Sequence, residues 1–162
     1  MSDIQIHVRM ANADDDAFII ALADRFVEFE LPAWRKRNET LTGIRRDLSR
    51  HLAEQPPGTF VFIAENDEGE RLGFLHLHKM VDFFTGHWNC HIADFAVAKE
   101  YDGNGVGRGL LEFTEEWARE HDCRLITLGV FPGNRRACEL YERNGYATDL
   151  IRMAKPVALK KR

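Results

Sequence analysis

Cysteine is scarce in this chain, and the three present, Cys90, Cys123 and Cys138, stand far apart. An odd number with no CxxC spacing excludes a disulfide framework and reads as reduced intracellular thiols. These cysteines and the seven histidines fall in no zinc-type spacing, so no metal is expected. His76 and His78 alternate on an apparent strand and share a face. Two ligands are too few for a site, so a structural or surface role is expected of them. No apolar run approaches a membrane span, and the opening stretch MSDIQIHVRM lacks the apolar centre of a signal peptide. A positive excess is also missing: 22 Lys and Arg stand against 26 Asp and Glu, a net charge of −4. That argues against a nucleic acid held by bulk electrostatics. The basic stretch KPVALKKR reads as a solvated terminus. The expectation is a cytoplasmic protein with no membrane and no nucleic-acid partner.

What is present suits one domain, 1–162, at 44% apolar and 30% charged residues. IQIHVRM alternates as a strand. ADDDAFIIALADRFVEF follows with acids early and apolar residues at helical spacing, a helix broken near Pro32. ETLTGIRRDLSRHLAE reads as a second helix, stopped by QPPG. TFVFIAEND and RLGFLHLHKMVDFF read as strands joined by a hairpin turn at NDEGE, and NCHIADFAV as a fourth strand. A long helix to about His121, the strand RLITLGVF, the helix NRRACELYERN and a last strand YATDLIRMAKPV complete the order βααβββαβαβ. The class is α/β, with a mixed central sheet flanked by helices.

The informative stretch is Tyr101-Asp102-Gly103-Asn104-Gly105-Val106-Gly107-Arg108, between the fourth strand and the long helix. A helix N-terminus carries unpaired N–H groups and a partial positive charge, and glycines let the backbone approach a ligand. Together they suit a phosphate or pyrophosphate. No Lys-Ser or Lys-Thr follows, as a P-loop requires. The spacing is GxGxG after the fourth strand, where a dinucleotide fingerprint needs GxGxxG in the first βα unit.

DFAVAKEYDGNGVGRGLLEFTEEWARE resembles the signature of the GNAT superfamily of acyl-CoA-dependent N-acyltransferases: a strand, then [Q/R]xxGx[G/A], then a helix. LGVFPGNRRACELYERNGY resembles its companion motif, and the resemblance covers about Phe60 to Tyr146. Asp102 departs from it, standing where relatives carry Gln or Arg to help hold the pyrophosphate. Arg108 is expected to compensate in part.

The resemblance implies acetyl-CoA as co-substrate and transfer of its acetyl group to a primary amine of a small molecule. It places the pantetheine arm along Phe95, Ala96 and Val97, and the phosphates on the backbone of Gly103, Asn104, Gly105, Val106, Gly107 and Arg108. Asn134 would contact the cofactor, or simply cap the helix that follows it. Tyr141, in LYERNG, is the expected acid for the leaving thiolate, and the Val97 N–H the donor to the thioester oxygen. The base is His91 or Asp94. Strand alternation assigns His91, Ala93, Phe95 and Val97 to one face and Ile92, Asp94 and Ala96 to the other. Glu28 and Glu30 are expected to attract the cationic acceptor. Two alternatives stay open: a CoA-binding module of the same fold without turnover, and a protein or peptide acceptor. A homodimer is an open expectation too.

Overall fold

The computed structural model describes residues 2–161. Five strands form one sheet in the order β1-β2-β3-β4-β5: His7–Met10, Thr59–Glu65, Arg71–Val81, Trp88–Val97 and Leu125–Leu128. The first four pair antiparallel, and β5 joins β4 in parallel. The helices are α1 (Asp16–Ala21), α2 (Arg37–Glu54), α3 (Val106–Glu120) and α4 (Arg135–Arg143). The mixed α/β class is therefore as the sequence implies.

Each face of the sheet carries its own core. Residues alternate along β3: Leu75 and Leu77 pack with α3, whereas Phe74 packs with Ile19 and Leu48 from α1 and α2. On α3, Val106, Leu110, Leu111, Thr114, Trp117 and Ala118 are buried, a single stripe at helical spacing. Fully burying a side chain such as Phe74 or Leu110 contributes about 1.5–3 kcal/mol. Thr114 can lie in that apolar stripe because its hydroxyl donates to the Leu110 carbonyl at 2.8 Å.

The structure departs from the sequence reading in three places. The expected long first helix is a short α1 between two 3-10 turns, Ala13–Asp15 and Leu22–Val27. A capping box at Asn12 and Asp15 starts it, and the Asp15 carboxylate turns inward, fully buried, to accept from Arg9 and Arg71 at 2.7 Å each. The second departure is a bulge: His76 pairs with Asp94 but Leu77 pairs with Ile92, so Ala93 is an extra residue in β4. An extra residue reverses the alternation beyond it. Ile92, Phe95 and Val97 now pack with the α3 side, and Ala96 with the α1–α2 side. Asp94, bonded to His76, shares that second side with His91, whose ring lies 6.4 Å from that of His78. The expected faces, with His91 beside Phe95 and Val97 and opposite Asp94, are thereby corrected.

The third departure is the last strand. Residues 147–161 form no helix, strand or turn, and all of them are exposed. β5 thus has β4 as its one neighbour among the described residues.

Candidate active site

β4 and β5 pair only from Asn89–Leu125 to Ile92–Leu128. Beyond that point the bulge at Ala93 turns β4, and Gly129 leaves β5, so the strands splay apart. A groove of about 690 Å³ fills the wedge. Residues 92–97 of β4 form one wall, 128–131 the other, and the glycine loop and α4 close its end.

Among the described residues the wedge edge of β4 has no strand partner. The Ala98 N–H bonds to the Leu72 carbonyl, 2.8 Å away, on the β3 side. N–H groups alternate between the two edges of an extended strand. The Phe95 and Val97 N–H groups therefore face the groove. At the groove's end, Gly105, a left-handed residue (φ 78°), stands just before α3 and offers no side-chain cap, and the first turn of α3 carries no acid. The N–H groups of that turn remain available to an anion. Gly107 has a different reason: a Cβ there would lie 3.1 Å from Leu140 and 3.4 Å from Phe95, so its lack of a side chain lets α3 approach β4 and α4. An uncapped helix start continuous with an open strand edge fits the phosphates and amide-bearing arm of a CoA thioester.

Of the residues singled out from sequence, Asp94, Phe95, Ala96, Val97, Gly103, Gly105, Val106, Gly107, Arg108, Asn134 and Tyr141 line this groove. Four do not. Asn104 turns to the N-terminal segment, donating to Ser2 and accepting from Ile4. His91 points to the α2 side, its Nδ1 2.9 Å from the Thr127 hydroxyl, and burial holds its pKa below the usual imidazole value. Glu28 is exposed and pairs with Arg25 at 3.5 Å. Glu30 packs by its backbone on Gly133, where a Cβ would stand 2.0 Å from the Glu30 carbonyl oxygen.

Asn134 caps α4, accepting from the Ala137 N–H at 3.3 Å, while also lining the groove. Tyr141 is 9% exposed, with its ring packed 6.1 Å from Phe95. Burial pushes its hydroxyl up to about 12, so it stays protonated at neutral pH. Asp94 accepts from His76 Nδ1 at 2.8 Å.

Asp102 neither caps the helix nor turns to solvent. It accepts from Arg25 at 3.1 Å through both oxygens and from Arg136 at 2.6 Å. All three side chains line the groove beside the glycine loop. Arg108, the expected compensating cation, pairs instead with Asp3 and Glu112. Sequence reading missed Arg25 and Arg136. Arg25 lies 77 residues before Asp102, and only packing of the turn after α1 against the loop joins them.

The model of the acetyltransferase (GNAT) family matches residues 19–146. An uncharacterized N-acetyltransferase of Bacillus subtilis, YdgE, is 36% identical over 110 residues, covering 68% of this chain and 64% of its own length, short of two thirds. A second from that organism, YhfO, is 28% identical over 144 residues, covering 89% and 91%. Among solved structures, a putative acetyl transferase from Pyrococcus furiosus superposes with a TM-score of 0.73 at 26% identity, covering 94% of this chain and all of that one. The splayed sheet, the uncapped helix after β4 and these likenesses agree: the chain belongs to the GNAT family of acetyltransferases.

Proposed function

We propose that this protein transfers an acetyl group from acetyl-CoA to a primary amine of a small molecule. The observation that carries the reading is the wedge, where the free N–H groups of Phe95 and Val97 run into the uncapped start of α3. The family generally uses acetyl-CoA, and some relatives are named for small amine acceptors: an aminoglycoside N(6')-acetyltransferase of Stenotrophomonas maltophilia and an aminoalkylphosphonate N-acetyltransferase of Salmonella typhimurium.

Acetyl-CoA supplies an activated acyl group on a thiol leaving group. The protein's residues divide the remaining work. The backbone of Gly103, Gly105, Val106, Gly107 and Arg108 holds the phosphates, with Arg25 and Arg136 adding charge that Asp102 keeps in place. Phe95, Ala96 and Val97 hold the pantetheine arm, and Asn134 offers its remaining amide donor to the same ligand. Asp94, the acid on the groove wall, orients the amine and takes its proton. His91, on the same side of the sheet but outside the groove lining, is the weaker candidate for that role, and Glu28 and Glu30 also lie outside the lining. The Val97 N–H stabilises negative charge developing on the thioester oxygen, and Tyr141 protonates the departing sulfur.

The test is thiol release from acetyl-CoA across a panel of amines: aminoglycosides, aminoalkylphosphonates, polyamines and peptide N-termini. Amine-dependent release with a small-molecule amine is expected. Tight acetyl-CoA binding with no release for any amine would favour the non-catalytic binding module, and release only with peptides would move the acceptor class.

A further inference from the structure

Behind β4, on the side away from α3, three imidazoles that are far apart in sequence meet. His76 and His78 project from β3, and His51 reaches them from α2. One ring nitrogen of each lies within 4.8 Å of those of the other two. His76 Nε2 and His78 Nε2 are 3.1 Å apart. His76 is fully buried, His51 is 8% exposed, and His78 is half-buried at the outer side.

The outward-facing nitrogens of two of these rings are already engaged. His76 Nδ1 lies 2.8 Å from the Asp94 carboxylate, and His51 Nδ1 lies 2.9 Å from the Asp47 carbonyl. Neither oxygen can donate, so each Nδ1 carries the proton, and the Nε2 of both rings is left as a lone pair. A carboxylate or carbonyl that fixes the tautomer and turns the lone pair inward is the usual support of a metal-binding histidine. A His78 to His76 hydrogen bond alone accounts for two rings. The His51 ring packs edge-on to His76 at 4.8 Å and stacks on His78 at 5.2 Å, centroid to centroid, which brings a third ring nitrogen to the same place.

We propose that His51, His76 and His78 bind a first-row divalent transition metal of the zinc type, with Asp94 and the Asp47 carbonyl orienting two of the ligands. Ligands about 2.0–2.1 Å from a tetrahedral zinc stand ~3.3 Å from one another. The His76–His78 separation already fits, and the His51 nitrogen has up to about 1.5 Å to close. Three imidazoles with no thiolate suit Zn²⁺, Co²⁺ or Ni²⁺ rather than Mg²⁺ or Ca²⁺. The Asp94 charge next to His76 offsets part of the cation's charge, the half-buried His78 gives an entry path, and the fourth position is open to water.

The experiment uses the untagged, chelator-treated full chain. Zn²⁺ titrated by calorimetry should bind one per chain with micromolar or tighter affinity. Co²⁺ should give the visible bands of a tetrahedral site, and Mg²⁺ should give no heat. His78→Gln, which keeps volume at the half-buried position, should weaken Zn²⁺ binding by at least ~100-fold, and Asp94→Asn by roughly 10–100-fold. His7→Ala, far away at an exposed position beside Asp67, should change nothing. Absence of stoichiometric Zn²⁺ binding, or binding insensitive to folded His78→Gln, would overturn the site.

Discussion

Replacing Tyr141 by Phe removes one oxygen from the groove wall and leaves the ring. The ring's packing, 6.1 Å from Phe95 and 5.6 Å from Tyr146 between centroids, is available to phenylalanine unchanged. The Tyr141 hydroxyl has no hydrogen-bond partner among the described residues, and unlike that of Tyr146 it is not sealed from solvent without one. The substitution therefore breaks no internal bond, and stability should stay within about 0.5 kcal/mol. The chemical step should respond very differently. A hydroxyl held protonated up to about pH 12 is a competent donor to a leaving thiolate. Its loss should slow turnover by roughly 10²–10⁴, about 2.7–5.4 kcal/mol of barrier. Acetyl-CoA affinity, read by calorimetry, should hold near the parent value, because the interaction lost exists only as the sulfur departs. Steady-state thiol release and a thermal melt on the same sample separate the outcomes. Unchanged kcat in folded Tyr141→Phe would refute the acid role. A large fall in melting temperature with kcat unchanged would mean that Tyr141 only packs.

Three further outcomes follow from other features. The Tyr146 hydroxyl is buried with no partner among the described residues, so Tyr146→Phe should raise stability by about 1 kcal/mol, read as a melting temperature ~2–4 °C higher; a lower one would reveal a partner for that oxygen. Arg9 and Arg71 beside the buried Asp15 hold its pKa well below the usual carboxylate range. A depressed folded pKa means stability that is present above the unfolded value near 3.9 and is lost as pH falls below it. Asp15→Asn should thus cost about 3 kcal/mol near neutral pH, with the gap closing as pH falls below ~4; a pH-independent gap in denaturant melts would contradict the ion-pair account. Arg136→Met should weaken acetyl-CoA binding roughly tenfold and flatten its salt dependence, whereas equal affinity at low and high salt would place the phosphates elsewhere.

Local chemistry was legible in the sequence. Apolar periodicity marked the α3 stripe from Val106 to Trp117, turn residues marked the hairpin between β2 and β3, and glycines before a helix marked the loop that closes the end of the groove. These signals are short-range: each depends on residues within one or two turns of one another. The bulge at Ala93 left no local mark, since it exists only in the register between β3 and β4. Without it, alternation assigns Asp94 and His91 to opposite faces. Asp102 read as a misplaced acid until the fold brought Arg25 and Arg136 to it, because a charge's partner is set by distance in space and not along the chain. His76 and His78 read as a pair on one strand face, and only the packing of α2 brought His51 beside them. Residues 146–157 have the composition of a strand, but a strand needs an edge to pair with, and composition does not say whether the fold presents one to it.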